Sequence, residues 1–239
     1  MSALAAQAAA EIRMTLRRGE SVLLTLGIPV LLLVFFSLVD VLPTGTDEPV
    51  TFLAPGILAL AIMSTAFTGL AIATGFERSY GVLKRLGTTP LTRPQLLVAK
   101  TASVLALELL QVVVLTAAAL ALGWNASPSV LPAIGVVVLA TIGFAGLGLL
   151  MAGTLPALTT LAAANGLYVV LLLLGDMVIP LAKLPGALRA VAELLPAAAL
   201  ADGLRSALAG GAVSGSTWIV LAGWAVLTPL TAATTFKWE

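Results

Sequence analysis

Six long apolar runs constrain this sequence more than any other feature. A transmembrane helix needs about 20 mostly apolar residues to cross the hydrocarbon core of a bilayer. The runs that reach this length cover residues 21–39, 52–75, 101–124, 131–153, 158–181 and 217–236. The chain is 60% hydrophobic and 10% charged, whereas soluble domains are about 45–50% apolar and about 25% charged. We therefore predict an all-α polytopic membrane protein, with six transmembrane helices in a single domain of residues 1–239.

The residue types that are missing exclude most chemistry. The chain has no Cys and no His, which removes disulfides, thiolate nucleophiles, imidazole bases and the commonest metal ligands. It also lacks the Gly-x-x-x-x-Gly-Lys-Ser/Thr loop that cradles phosphates. We expect no catalytic residue, metal site or cofactor in this chain, so any ATPase that works with it would have to be another chain. A net charge of +1 argues against a nucleic-acid partner.

Residues 1–20 have the pattern of an amphipathic helix. Apolar side chains recur at helical spacing, and the charged side chains lie mostly elsewhere on the helical wheel. The apolar positions are Ala5, Ala8, Ala9, Ile12 and Leu16. We predict an elbow helix that lies on the membrane surface against lipid, the alternative being a frayed tail.

The distribution of Lys and Arg predicts the orientation in the membrane. Cytoplasmic loops carry an excess of these residues. If both termini share one side, that side holds nine of the 12 basic residues, namely Arg13, Arg17, Arg18, Arg78, Lys84, Arg85, Arg93, Lys100 and Lys237. We therefore expect both termini in the cytoplasm and a multi-pass protein of the cell membrane, the inner membrane of a bacterium.

Small residues predict close packing of two spans. Ala61, Thr65, Gly69 and Ala73 recur at four-residue spacing in the second span, a pattern that lets another helix approach closely. We favour packing within the chain over a dimer contact. The short connection 153–156 also predicts that the fourth and fifth spans form an antiparallel hairpin.

The segment 182–211, between the last two spans, is too polar and too broken by proline to cross the bilayer, yet too apolar for a solvated loop. Two short helices, 187–195 and 197–208, would satisfy their backbone hydrogen bonds internally while dipping into the outer leaflet. We predict an extracellular re-entrant helical hairpin here. Its notable residues are Pro196, Asp202 and Arg205.

Residues 76–95 concentrate charge between two apolar runs. On a helix over 76–86, the residues Glu77, Arg78, Gly81, Lys84 and Arg85 share one face, and Tyr80 and Val82 fall on the apolar remainder. Topology anchoring would explain the bases, but an acid contributes little to orientation. We therefore predict a helix whose charged face points outward and docks another protein. Pro94 would start the next helix.

The stretch ERSYGVLKRLGTTPLTRPQLLVAK, residues 77–100, resembles the cytoplasmic loop between the second and third spans of type-2 ABC exporter permeases. The stretch LLPAAALADGLRSALAGG, residues 194–211, is similar to the segment before the final span of that family. The predicted elbow helix, six spans and re-entrant helices also follow its architecture.

This resemblance implies a non-catalytic permease subunit that exports a drug, lipid or lipid-linked glycan from the cytoplasm or inner leaflet. It further implies a second permease copy or paralogue, forming a dimer, and ABC ATPase partners that hydrolyse ATP. The coupling helix that meets the ATPase would contain Glu77, Arg78, Tyr80, Gly81, Lys84 and Arg85.

Three polar residues fall within the apolar runs, where such groups are costly and usually face a bundle interior or water. Glu108 either lines the transport path or is hydrogen-bonded to Gln111 or a neighbouring span. Asp176 is expected to pair with Lys183. Asn165 either bridges helices or lines the cavity.

Other functions compete with the exporter. An ion-coupled secondary transporter would use Glu108 and Asp176 as proton sites, and its transport would collapse with the proton gradient. A membrane scaffold would have no ATPase partner. An intramembrane hydrolase is disfavoured because the sequence lacks His.

Overall fold

The structure is a computed structural model that describes residues 3–17, 19–39, 49–89, 91–177 and 180–236. Within these ranges the regular elements are all helical. They are α1 (Ala3–Arg17), α2 (Gly19–Leu38), α3 (Pro49–Met63), a π-helix (Ser64–Gly69), α4 (Leu70–Ser79), α5 (Val82–Leu86), α6 (Arg93–Ala121), α7 (Val130–Thr154), α8 (Ala157–Leu174), a 3₁₀ turn (Leu181–Lys183), α9 (Gly186–Ala192), α10 (Pro196–Leu208) and α11 (Gly215–Thr235). Arg18 and Lys237, which contributed to the predicted orientation, lie outside the described residues.

Five helical segments are long and apolar enough to cross a membrane. They are Pro49–Ser79, Arg93–Ala121, Val130–Thr154, Ala157–Leu174 and Gly215–Thr235. The number becomes 6 if the bent pair formed by α1 and α2, whose axes differ by 63°, counts as one span. The prediction of an all-α polytopic membrane protein is therefore confirmed.

The first helix bends away from α2 and packs along α6. Its least exposed side carries Glu11, Ile12 and Thr15, whereas Ala5, Ala9 and Leu16 of the predicted apolar positions are exposed. A helix therefore occupies most of the predicted range 1–20. Its position at a membrane surface remains a prediction.

A π-helix interrupts the second span and breaks the predicted stripe of small residues. Ala61 is fully buried and Thr65 nearly so, but Gly69 is exposed. A π-helical turn bonds residue i to i+5 and so holds more residues than an α-helical turn. Thr65, Gly69 and Ala73 line one cavity, and a Cβ added at Gly69 would meet only the carbonyl oxygen of Ser64 in the same segment, so no described helix packs closely there. The stripe prediction is therefore wrong beyond Thr65.

The fourth span, α7, packs closely against α11. A Cβ atom added at Gly146 would lie 2.6 Å from the backbone nitrogen of Pro229, and one at Gly143 would lie 3.2 Å from the Cβ of Trp224. These glycines allow the two helix backbones to approach. The prediction of a closely packed α7–α8 hairpin is wrong, because α4 packs against both helices and they touch each other only locally.

The two predicted short helices are present as α9 and α10; each begins one residue early, and α9 ends three residues early, at Ala192. Their entry into the membrane remains a prediction. α10 has 13 residues, which at about 1.5 Å per residue is too short to span a bilayer. It is buried against α3, α7 and α11, whereas α9 is exposed apart from Ala192. The buried half of the hairpin is thus part of the helical core.

Candidate functional site

The charged segment contains a break that divides the predicted helix 76–86 in two. α4 ends at Ser79 and α5 begins at Val82, with Gly81 between them at a φ of 71°. Glycine adopts this left-handed conformation without the steric cost that a Cβ imposes. The single-helix prediction is therefore wrong, and α4 and α5 are separate helices joined by the Gly81 break.

The break also changes which side chains are exposed. Tyr80 is 73% exposed and Val82 is 41% exposed, although both were predicted to face the membrane domain. Lys84 and Arg85 are exposed as predicted, and Leu83 beneath them is fully buried. We call Tyr80, Val82, Lys84 and Arg85 the coupling surface.

Glu77 is separate from the coupling surface and belongs to an ion cluster inside the protein. The Nζ of Lys100 lies 2.5 Å from the Oε2 of Glu77 and 3.2 Å from the Oε1 of Glu11. The Lys100 side chain is only 2% exposed. We call Glu11, Glu77 and Lys100 the triad; it joins α1, α4 and α6. The prediction that Glu77 points outward with the bases is therefore wrong.

Arg78 is also used within the chain. Its Nη1 donates a hydrogen bond of 2.8 Å to the carbonyl oxygen of Ala152, so it ties the end of α4 to the end of α7. A hydrogen bond from a charged donor contributes about 1.5–3 kcal/mol. The triad and Arg78 together connect the segment before the Gly81 break to three other helices.

The start of α6 follows the predicted pattern. The Thr92 side chain accepts a bond from the Gln95 backbone, the Gln95 side chain accepts one from the Thr92 backbone, and Pro94 lies in the first turn. This capping box satisfies two backbone donors that the helix leaves free. The coupling surface thus lies on both sides of the Gly81 break and is followed in the chain by the capped start of α6.

A cavity of about 460 Å³ lies beside the triad. Its walls come from α1, α2, the π-helix, α4 and α6, and they combine the triad with hydroxyl groups and apolar side chains. Sequence analysis missed this cavity, because its walls meet only after the π-helix and the bent α1 are in place.

Glu108 is 1% exposed and does not line this cavity. The Oγ1 of Thr141 on α7 donates a 2.6 Å hydrogen bond to the Oε2 of Glu108. The Nε2 of Gln111 instead donates to Thr65 at 2.9 Å and to the carbonyl oxygen of Thr25 at 3.3 Å. The sequence analysis offered Gln111 or a neighbouring span as the partner of Glu108, and the structure shows the neighbouring span α7. A role in the transport path remains a prediction.

Asp176 has a different partner from the one predicted. Arg205 on α10 donates to its carboxylate and, at 2.7 Å, to its backbone carbonyl, and the Leu181 backbone donates to it at 2.8 Å. Pairing with Lys183 is therefore wrong. The Arg205 guanidinium also lies 4.5 Å from the centre of the Phe52 ring. We call Asp176, Arg205 and Phe52 the re-entrant cluster.

The remaining predicted residues, Asp202, Pro196 and Asn165, make contacts within the protein's own helices. Asp202 accepts a 2.6 Å bond from Thr217 on α11, and Pro196 is buried in the first turn of α10. Asn165 donates to the Leu161 carbonyl of its own helix at 2.8 Å and lies on the exposed side of α8. In the described part of the chain it neither bridges to another helix nor lines the cavity.

These features define a helical membrane protein with a bent N-terminal helix, five or six candidate spans, a polar loop broken at Gly81 and two short helices before the last span. A profile of the ABC-2 type transporter family matches residues 3–209. The chain therefore belongs to the ABC-2 type transporter family and is an ABC permease subunit. A search of curated proteins found no match. Membership implies association with an ABC ATPase, and subunits of this family generally carry out transport without catalysis.

Proposed function

We propose that this permease subunit is part of an ABC exporter that moves a hydrophobic or amphipathic substrate, such as a drug, a lipid or a lipid-linked glycan, out of the cytoplasm or inner leaflet. Its family membership supports a role in transport. The sequence has no loop of its own for binding ATP phosphates. Energy for transport would therefore come from a separate ATPase chain, which binds ATP and Mg²⁺.

The coupling surface is the proposed docking site for that ATPase. The observation that carries this proposal is the exposure of Tyr80 and Val82 directly around the Gly81 break. An exposed aromatic ring beside an apolar side chain and two bases is typical of a protein interface. Docking of a cytoplasmic ATPase at this surface would put both termini in the cytoplasm, which is also what the distribution of Lys and Arg predicts.

The triad and Arg78 would carry the movement of the docked segment into the membrane domain. Glu77 and Arg78 precede the break: Glu77 bonds to Lys100 on α6, and Arg78 bonds to α7. Lys100 in turn pairs with Glu11 on α1. A displacement of α4 would therefore shift the elbow helix and two spans together. Glu77 acts in this account as a positioning residue, and the contact with the ATPase is made by the coupling surface.

A second permease copy or a paralogue would complete the transporter. The α8 helix offers an extended apolar face for it, with Leu158 72% exposed and Val169 and Leu173 each 50% exposed. Lipid would cover the apolar surface that the second copy leaves free. The proposed location is the inner membrane of a bacterium.

Co-purification tests the proposed ATPase partner. The tagged permease is isolated in mild detergent from its own host, and co-purifying proteins are identified by mass spectrometry. We expect an ATPase with the phosphate-binding loop to accompany the parent protein. We expect Arg85→Glu to remove it and Arg189→Glu, a matched change at an exposed arginine of α9, to retain it.

Transport energetics test the exporter itself. In inverted vesicles, export from the cytoplasm is measured as uptake into the vesicle lumen. We expect uptake that needs ATP and survives collapse of the proton gradient. Uptake that continues without ATP but stops when the gradient collapses would contradict the proposal and favour an ion-coupled carrier.

A further inference from the structure

The cavity beside the triad has the dimensions and the lining of a ligand site. Its volume of about 460 Å³ falls within the range of about 300–1,000 Å³ that is usual for small-molecule sites. One wall is the π-helix Ser64–Gly69. Such segments are rare and often lie at functional sites.

Charge is confined to one end of the cavity. The described charged residues of the lining are the two carboxylates of Glu11 and Glu77 and the single ammonium of Lys100, so their formal charges sum to one negative charge. The Lys100 side chain is 2% exposed, whereas that of Glu77 is 19% exposed. A ligand that enters the cavity would therefore meet a carboxylate more readily than the ammonium.

The rest of the lining suits a body that is mostly apolar. Met14, Val22, Ile72, Val104 and Leu107 supply apolar surface. Hydroxyl groups are interspersed among them and can accept or donate hydrogen bonds; they belong to Thr15, Thr25, Ser64, Thr65, Thr68 and Ser103.

We propose that this cavity binds an amphipathic cation, with its positive group at Glu77 and Glu11 and its apolar body against α2 and α6. A cation there balances this negative charge, and an anion would add a third negative charge beside two carboxylates. The site lies within one copy of the chain. Binding to it needs neither ATP nor a partner chain, so it can be tested separately from the proposed exporter function.

The test is a fluorescence anisotropy titration of the full-length permease in phosphatidylcholine nanodiscs. Rhodamine 123 is the cationic probe, and fluorescein, which shares its xanthene ring system, is the anionic control. We expect saturable binding of rhodamine 123 and at least about tenfold weaker binding of fluorescein. No saturable binding of the cation, or equal binding of the two dyes, would overturn the proposal.

Two variants locate the bound dye. Glu77→Gln removes the more exposed of the two triad carboxylates, and Ala73→Phe fills the cavity while leaving the triad intact. Each is expected to weaken rhodamine 123 binding by about tenfold or more. Their matched controls, Glu193→Gln and Ala190→Phe on the exposed α9, should bind like the parent. Undiminished binding by Ala73→Phe with an unchanged melting temperature would place the dye elsewhere and refute the site.

A lipid headgroup and a soluble amphiphile can present the same ammonium chemistry. Repeating the titration in phosphatidylethanolamine nanodiscs separates these sources, because that lipid has a primary ammonium that can donate hydrogen bonds. Weaker dye binding there would assign the site to a lipid ammonium. Equal binding in both lipids would assign it to a soluble cation.

Discussion

The triad and the re-entrant cluster are both ionic links between helices, but their surroundings differ. Lys100 lies beside a cavity and near the Gly81 break. Arg205 lies on α10, a helix buried against three others, and it contacts an aromatic ring as well as a carboxylate. The same kind of ion pair therefore occurs beside a cavity and on a helix that packs closely against its neighbours. We expect the triad end to change conformation during transport and the re-entrant end to remain rigid.

The largest predicted effect concerns Lys100. Lys100→Met leaves two mostly buried carboxylates without a cation. Removing one partner of a buried ion pair costs about 3–5 kcal/mol, and the partial exposure of Glu77 favours the lower end. The free energy of unfolding in detergent measures the loss, with Lys100→Arg as the control that keeps the charge. Equal free energies of unfolding for Lys100→Met and the parent would show that the triad does not stabilise the fold.

Arg205→Met should have the next largest effect. It removes the bonds to Asp176 and the contact with Phe52. Because bonds from charged donors contribute about 1.5–3 kcal/mol and Arg205 is partly exposed, we expect a loss of about 2 kcal/mol. The same unfolding measurement applies. ATPase stimulation per folded molecule should be retained, and its selective loss would contradict a static role.

Gly203→Ala probes the packing of the re-entrant end. The added Cβ would lie 2.9 Å from Val136 Cγ2 and 3.1 Å from Thr217 Cγ2. Overpacking costs about 1–3 kcal/mol, and we expect about 1–2 kcal/mol because both neighbours are side-chain methyl groups. Gly166→Ala on α8, where no atom lies within 4 Å of the added Cβ, is the matched control. An equal melting temperature for the two variants would mean that this end is not tightly packed.

Gly81→Ala probes the hinge at the other end and should have the smallest effect on stability. No atom lies within 4 Å of the added Cβ, so the cost is the left-handed backbone alone, about 1 kcal/mol. ATPase stimulation should fall more than stability does, and Gly81→Asn should restore part of it because Asn tolerates this conformation. Full stimulation of the ATPase by the Gly81→Ala variant would contradict the role of Gly81 as a hinge.

Local patterns predicted the parts of this fold that depend on neighbouring residues. Apolar run length identified the spans, and proline and polarity identified α9 and α10. Pro94 indicated the start of α6. Each of these features arises from the physical chemistry of a few consecutive residues.

Features that depend on which helix faces meet could not be predicted in this way. Lys100 bonds to residues on two other helices, and Asp176 bonds to Arg205, 29 residues away, rather than to the nearer Lys183. The π-helix has no periodic signature in the sequence. Gly81 did carry a usable signal, since a glycine inside a short polar helix indicates a break.

The most direct test of the account uses the absence of Cys from the natural sequence. Single cysteines at Val82→Cys, on the coupling surface, and Val191→Cys, on the exposed α9, are labelled with a benzophenone maleimide and irradiated in native membranes. We predict that Val82→Cys alone crosslinks to an ATPase bearing the phosphate-binding loop, identified by mass spectrometry. Absence of that crosslink from Val82→Cys in a sample where the ATPase co-purifies, or its formation from Val191→Cys, would contradict docking at the coupling surface.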